Sequence, residues 1–423
     1  MNENFLQYLW KYGLFDSSST VLDNGEKIEI ISAGEHNTNA GPDFTNVKIK
    51  IGQVLWAGNV EIHVNSSDWE KHGHHHDKAY DNVIIQAVAH HDRPVKRTNG
   101  EPIPTITLKY NPKYYNNYAD LINSRNWISC EHKINDVNSF IIRYWLEKLM
   151  IERLESKAGE ITRYFKQNKN NWEETFYQRM GNNFGFKLNA QPFEMLVKSI
   201  PLNCLAKHKN NLLQIEALFF GQAGMLNDLE HEDDYIKALK REYAFLQKKF
   251  NLKPVEKHLW KFLRLRPSNF PTIRIAQFAS LIYSSSKLFS KILEANDVEE
   301  IKKLLSVTAS SYWDVHYTFG KASAKRVKTL GDAGINILLI NTIIPFLFVY
   351  GKVKDSQNFK DQALKFLENI KAEQNHIIKG WKKLGIIPEN ALQSQALLQL
   401  KNVYCNQKRC LDCQIGNQVI SKH

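Results

Sequence analysis

Apolar residues at positions 5, 6, 9, 10 and 14 recur at helical spacing and predict a helix over Phe5–Phe15. From about residue 27 the period shortens to two. Ile28–Ile31, Val47–Ile51 and Val54–Val64 read as strands, the last two joined through Gly52-Gln53 as a hairpin. Ser66-Ser67-Asp68 offers caps for a short helix from Trp69 to about Tyr80, although Gly73 opposes a regular one. Val83–Ala89 is almost continuously apolar, as in a strand covered on both faces, and Thr105–Leu108 supplies one more. The order helix, three strands, helix, strand predicts a small α/β core.

Past Tyr114 the period is helical almost throughout. Helices are expected over Phe140–Lys157, Glu173–Phe184, Leu212–Phe220, Asp234–Lys248, Ile273–Leu288, Val298–Leu305, Ala333–Tyr350, Lys360–Ile370 and Glu389–Lys401. The fold class is therefore α+β: a head over residues 1–125 with a mixed sheet, then an all-α body over residues 126–423. The apolar run Ile335–Tyr350 is interrupted by Asn336, Asn341, Thr342 and Pro345. It is expected as a buried core helix, with no membrane partner.

Composition narrows the function classes. The start, Met1-Asn2-Glu3-Asn4-Phe5, does not resemble a signal peptide. Five cysteines, an odd number with three crowded near the C-terminus, fit a reducing cytoplasm better than a disulfide framework. A net charge of +12 favours an anionic partner, and nucleic acid is expected.

Candidate chemistry concentrates near the start. Asn59, Glu61 and His63 alternate onto one face of their strand, and Asp43 heads the preceding one. Two carboxylates with room for water suit Mg²⁺ or Mn²⁺ beside a phosphodiester, with His63 as a nearby cation. Parity opposes this: Asp43 shares register with Val47 and Ile49, so it meets Glu61 only if the strand is bulged near its start. His72, His74, His75 and His76 follow, with Asp77 beside them. His72, His74 and Asp77 are candidates for a second metal site or a proton supply; the alternative is an exposed polar turn.

Pro42-Asp43 and Glu61-Ile62-His63, with the order of elements over roughly residues 1–110, resemble the PD-(D/E)XK nuclease superfamily. The resemblance implies a nuclease-like head in which Asp43 and Glu61 ligate metal and His63 stands at the usual lysine, with Lys48 or Lys50 as spatial substitutes. Over the whole chain, Asn37–Phe44, Asp68-Trp69 with His72 and His74, Arg266–Arg274 and Cys410–Cys413 resemble the DUF2851 family of Bacteroidetes-type bacteria, which implies no established activity.

Cys405, Cys410 and Cys413 present three thiols in nine residues, the last two with the gap that lets both sulfurs reach one ion. A Zn site, or an Fe–S cluster as the resemblance to some nucleases of that superfamily implies, is expected with Cys130, Cys204 or a histidine as fourth ligand; the alternative is reduced, packed cysteines without metal. Arg264, Arg266 and Arg274, and Lys325 with Arg326, lie in basic stretches that could grip phosphates, and Phe270 could stack on a base; the alternative pairs Arg266 and Arg274 with carboxylates. The function expected is a metal-dependent nuclease or nuclease-derived protein. The alternative is a non-catalytic nucleic-acid-binding protein on a degenerate nuclease fold.

Overall fold

The computed structural model describes the chain apart from residues 18, 19, 23, 24, 228, 286 and 423. The first helix, α1 (Glu3–Tyr12), starts where Asn2 accepts from the Phe5 N–H and stops at Gly13, whose φ of 62° lets the chain turn back. It buries Phe5, Leu6, Leu9 and Trp10, each worth about 1.5–3 kcal/mol of apolar burial, and packs on a central strand.

That strand belongs to a mixed sheet of β1 (Ile28–Ser32), β2 (Glu35–His36), β3 (Phe44–Ile51), β4 (Val54–Asn65), β5 (Val83–His90) and β6 (Thr105–Thr107). The order is β1-β3-β4-β5-β6, with β2 pairing β3. β1, β3 and β4 are antiparallel neighbours, whereas β4, β5 and β6 run parallel. β4 is thus where the sheet switches direction, and its parallel link to β5 needs a crossover.

The crossover is not the helix expected over 69–80. Only α2 (Asp68–Lys71) is α-helical; Gly73, at φ 78°, breaks it, and two single 3₁₀ turns complete the path. Four histidines consequently occupy a compact bent segment instead of one helical face. The helix α3 (Pro112–Asn123), begun by Asn111 and Pro112, was not separately resolved in the sequence pattern.

Where the pattern suggested one boundary near residue 125, the chain divides into two compact units. The first comprises residues 1–146, 379–386 and 397–423; the second comprises 147–378 and 387–396. The C-terminal cysteine segment therefore groups with the sheet, and the division falls inside the 29-residue helix α4 (Ser139–Gln167).

The second unit is helical. Short helices at Ala190–Ser199 and Leu202–Ala206 escaped the sequence reading, as did His376–Lys383, most of whose residues fall in the first unit. The helix expected over 273–288 is broken into Pro271–Ser284 and Leu288–Glu294, with Lys287 at φ 54° between them; residue 286 of that span lies outside the described residues. Asp332–Val353 is long and apolar enough to cross a membrane, yet 72% of its most apolar window is buried inside the protein. A π-helical turn at Leu339–Ile343 within it precedes Pro345, which the regular ladder would not admit.

Candidate metal centre

The bulge that parity demanded is present. The β3–β4 register slips between Phe44 and Val47, with Asn46 at φ 57°. Phe44 and Val47 can therefore both be buried despite their odd spacing, and Asp43 reaches the edge where Glu61 lies. Each acid accepts from the other's strand backbone. The Asp43 N–H donates to Glu61 Oε2 at 3.0 Å, and the Ile62 N–H donates to Asp43 Oδ2 at 3.0 Å. Gln7, from α1, donates to Asp43 Oδ1 at 2.8 Å. Burial, and then the Glu61 charge, push the Asp43 carboxyl up to about 7.

The crossover folds its imidazoles over this pair. His74 Nε2 lies 3.2 Å from Glu61 Oε1, and His63 Nε2 lies 3.7 Å from the same oxygen. His63 Nε2 and His72 Nδ1 are 3.2 Å apart. One ring nitrogen from each of His63, His72 and His74 falls within 4.8 Å of the others. Trp69, fully buried, meets the His74 ring edge-on at 5.2 Å, and Tyr80 stacks on it at 3.8 Å. Burial holds the Tyr80 hydroxyl up at about 12, so it stays protonated.

The close contact between His74 and Glu61 is not aligned as a hydrogen bond, which leaves the buried His74 Nε2 without a partner. Two donors 3.2 Å apart, each ~2.1 Å from a shared ion, subtend an angle of about 100°, ordinary for ligands of one metal. His63 plays a different part. The Gln86 amide nitrogen donates to Ser66 O at 3.1 Å and faces His63 Nδ1 at 2.9 Å. Nδ1 thus accepts, and the ring proton is assigned to Nε2, pointing at Glu61 and His72. Glu61, His72 and His74 remain as the groups best placed to hold a cation, with His63 orienting them and Asp43 bonded beside Glu61.

Several sequence expectations are corrected here. His63 supplies no cation: burial, then His74 and His72, press its pKa down to about 3. Neither Lys48 nor Lys50 substitutes. They pair with Ala57 and Leu55, four and six residues from Glu61 along β4, or ~13 and ~20 Å at strand rise. Among the described residues neither Asp43 nor Glu61 has a lysine or arginine within 4.0 Å. Asp77 stays outside the cluster, exposed, and caps the next turn by accepting from the Ala79 N–H.

In the second unit Arg264, Arg266, Lys325 and Arg326 are exposed, but Arg274 is buried. It donates to Asn269 Oδ1 and Gln277 Oε1 and lies over the Phe186 ring at 4.1 Å. Burial alone lowers its pKa to about 10, and it is not available to grip a phosphate backbone. Phe270 packs on Phe262 at 5.3 Å.

Three contributors were overlooked in the sequence. Gln86 is the one polar residue within the apolar run of β5, which was a legible signal. Gln7 and Glu3 come from the predicted helix, where nothing local marks them. Burial raises the Glu3 carboxyl, which also senses His72, Asp68, Glu61 and His74.

Fold and cluster together define an α+β protein with a carboxylate–imidazole site where a mixed sheet switches direction. The family model of DUF2851, described as a protein of unknown function, matches residues 3–376, and the chain belongs to that family. No curated protein and no solved structure matches it.

Proposed function

We propose that the protein is a cytoplasmic metal-dependent nuclease, hydrolysing phosphodiester bonds in nucleic acid at the Asp43–Glu61 pair. The observation that carries this reading is the reciprocal clasp of two acids beside a buried imidazole nitrogen, His74 Nε2, that makes no hydrogen bond. The element order and the antiparallel-to-parallel switch at β4 agree with the PD-(D/E)XK resemblance, Asp43 and Glu61 standing at its acidic positions. The departure lies in the donors. Mixed nitrogen and oxygen ligands favour Mn²⁺ or Zn²⁺ over Mg²⁺, which prefers oxygen and keeps its waters. A bound ion would activate water and offset charge building on the phosphate. Asp43 would release its proton as the ion enters, and Tyr80 and Trp69 would keep the His74 side of the site dry. The +12 charge would draw the polyanion in.

One observation favours a second reading, non-catalytic nucleic-acid binding on the same fold: His63 is neutral where a permanent cation would be needed. The test is to incubate the full chain with Mg²⁺, Mn²⁺ or Zn²⁺ and single- and double-stranded DNA and RNA. Cleavage is expected with at least one pair, and Glu61→Gln should abolish it while the protein stays folded. Salt-sensitive binding that survives Glu61→Gln without any cleavage supports the second reading. Neither binding nor cleavage at low salt refutes both.

A further inference from the structure

The C-terminal segment closes on itself with four of the five cysteines, none of them in a disulfide. After the π-helical turn Leu400–Cys405, Cys410 opens a 3₁₀ turn and Cys413 precedes the last helix, Gln414–Ser421. The fourth thiol arrives from 275 residues earlier in the chain. Lys401 Nζ donates to Trp127 O at 2.7 Å, Lys408 Nζ bonds Ile122 O, and the Ser129 hydroxyl bonds the Cys410 sulfur. These contacts seat Cys130 beside the C-terminal trio. Each thiol feels the others: Cys130 interacts with Cys410 and Cys413, and Cys405 with all three.

We propose that the sulfurs of Cys130, Cys405, Cys410 and Cys413 are the ligands of one iron–sulfur cluster, which pins the C-terminal segment to the turn after α3. Four independent features support it. Cys410 and Cys413 are buried, where ionised sulfur needs a cation. The Ile415 and Gly416 amides and the Trp145 indole all donate to Cys413, an arrangement that stabilises ligated thiolate sulfur. Gly416 is required for this approach, since a Cβ there would lie 2.1 Å from Cys410 O. Lys401 beside Cys405 and Lys408 beside Cys410 supply the positive charge that an anionic cluster calls for.

Without such a centre the arrangement is unfavourable. Burial first, then the neighbouring sulfurs, push the Cys130 thiol up to about 12; burial does the same to Cys413, up to about 11. A cluster would displace all four protons and remove that conflict. Spacing chooses the metal. A single tetrahedral zinc at ~2.3 Å draws its sulfurs to about 3.8 Å from one another. Among the described residues the group of three ligand atoms within 4.8 Å is the histidine one, so no three of these thiols lie that close to one another. Sulfurs that each bind a different iron of one cluster are spread in this way.

The experiment is anaerobic purification of the full chain, followed by iron, zinc and acid-labile sulfide analysis with a visible spectrum. Iron and sulfide in equal amounts are expected, with sulfide-to-iron charge-transfer absorption. Cys130→Ser should abolish both, and Cys204→Ser, in the second unit, should leave them unchanged. Native alkylation of the wild-type protein gives an answer even if Cys130→Ser fails to fold: the four thiols should react only after iron is chelated. One zinc per chain without sulfide overturns the cluster. Metal-free protein whose four thiols alkylate freely overturns the site altogether.

Discussion

Replacing Asp43 by asparagine separates the cost of the acid pair from its use. The substitution keeps the shape and removes the charge that Glu61 repels. In the metal-free protein the Asp43 carboxyl is raised from an ordinary 3.8 to about 7, chiefly by burial and then by Glu61. The gap corresponds to a ceiling of roughly 4 kcal/mol. A raised folded-state value means that below about pH 4 the acid is neutral in both folded and unfolded chains and costs nothing. As pH rises the unfolded chain releases its proton first, so folding stability falls progressively until the folded carboxyl also ionises near 7. Chelator-treated wild type should therefore lose melting temperature between about pH 4 and 7. Asp43→Asn should be the more stable protein at pH 8, by roughly 5 °C at the ceiling for a chain of this length. Saturating Mn²⁺ or Zn²⁺ should restore wild type and leave the variant unmoved. Scanning fluorimetry across that range, with and without metal, provides the assay. Parallel curves for the two proteins would refute both the burial of a like-charged pair and its role as a cation site.

Three further outcomes are expected. Arg266→Ala should reduce the salt dependence of nucleic-acid binding by about one phosphate contact without altering stability. Arg274→Ala should do the reverse, costing about 2–4 kcal/mol in urea denaturation through lost buried packing and leaving the salt slope intact. Gly73→Ala forces a Cβ into left-handed backbone at φ 78°, and should cost about 1–2 kcal/mol and weaken metal binding measured by calorimetry, since Gly73 separates His72 from His74.

The sequence by itself determined the α+β class, the hairpin of β3 and β4, the buried strand β5 and the long helical region. These follow from periodicity, which is a local property: alternation exposes one face of Val47–Ile51, and an unbroken apolar run marks a strand covered on both sides. The candidate acids were legible as residue types, together with the condition they had to satisfy, a bulge between them. Only the tertiary structure decided that Asn46 adopts left-handed backbone and meets that condition, because a register slip is selected by packing Phe44 and Val47 on the same side. Tertiary structure likewise decided that His63 is neutral and Arg274 buried, since charge state depends on desolvation and on neighbours distant in sequence. It placed Gln7 and Glu3 at the site, and brought Cys130 to the C-terminal thiols across 275 residues. Such convergences are made by chain crossings, and no local pattern of apolar and polar residues records where a chain will cross itself.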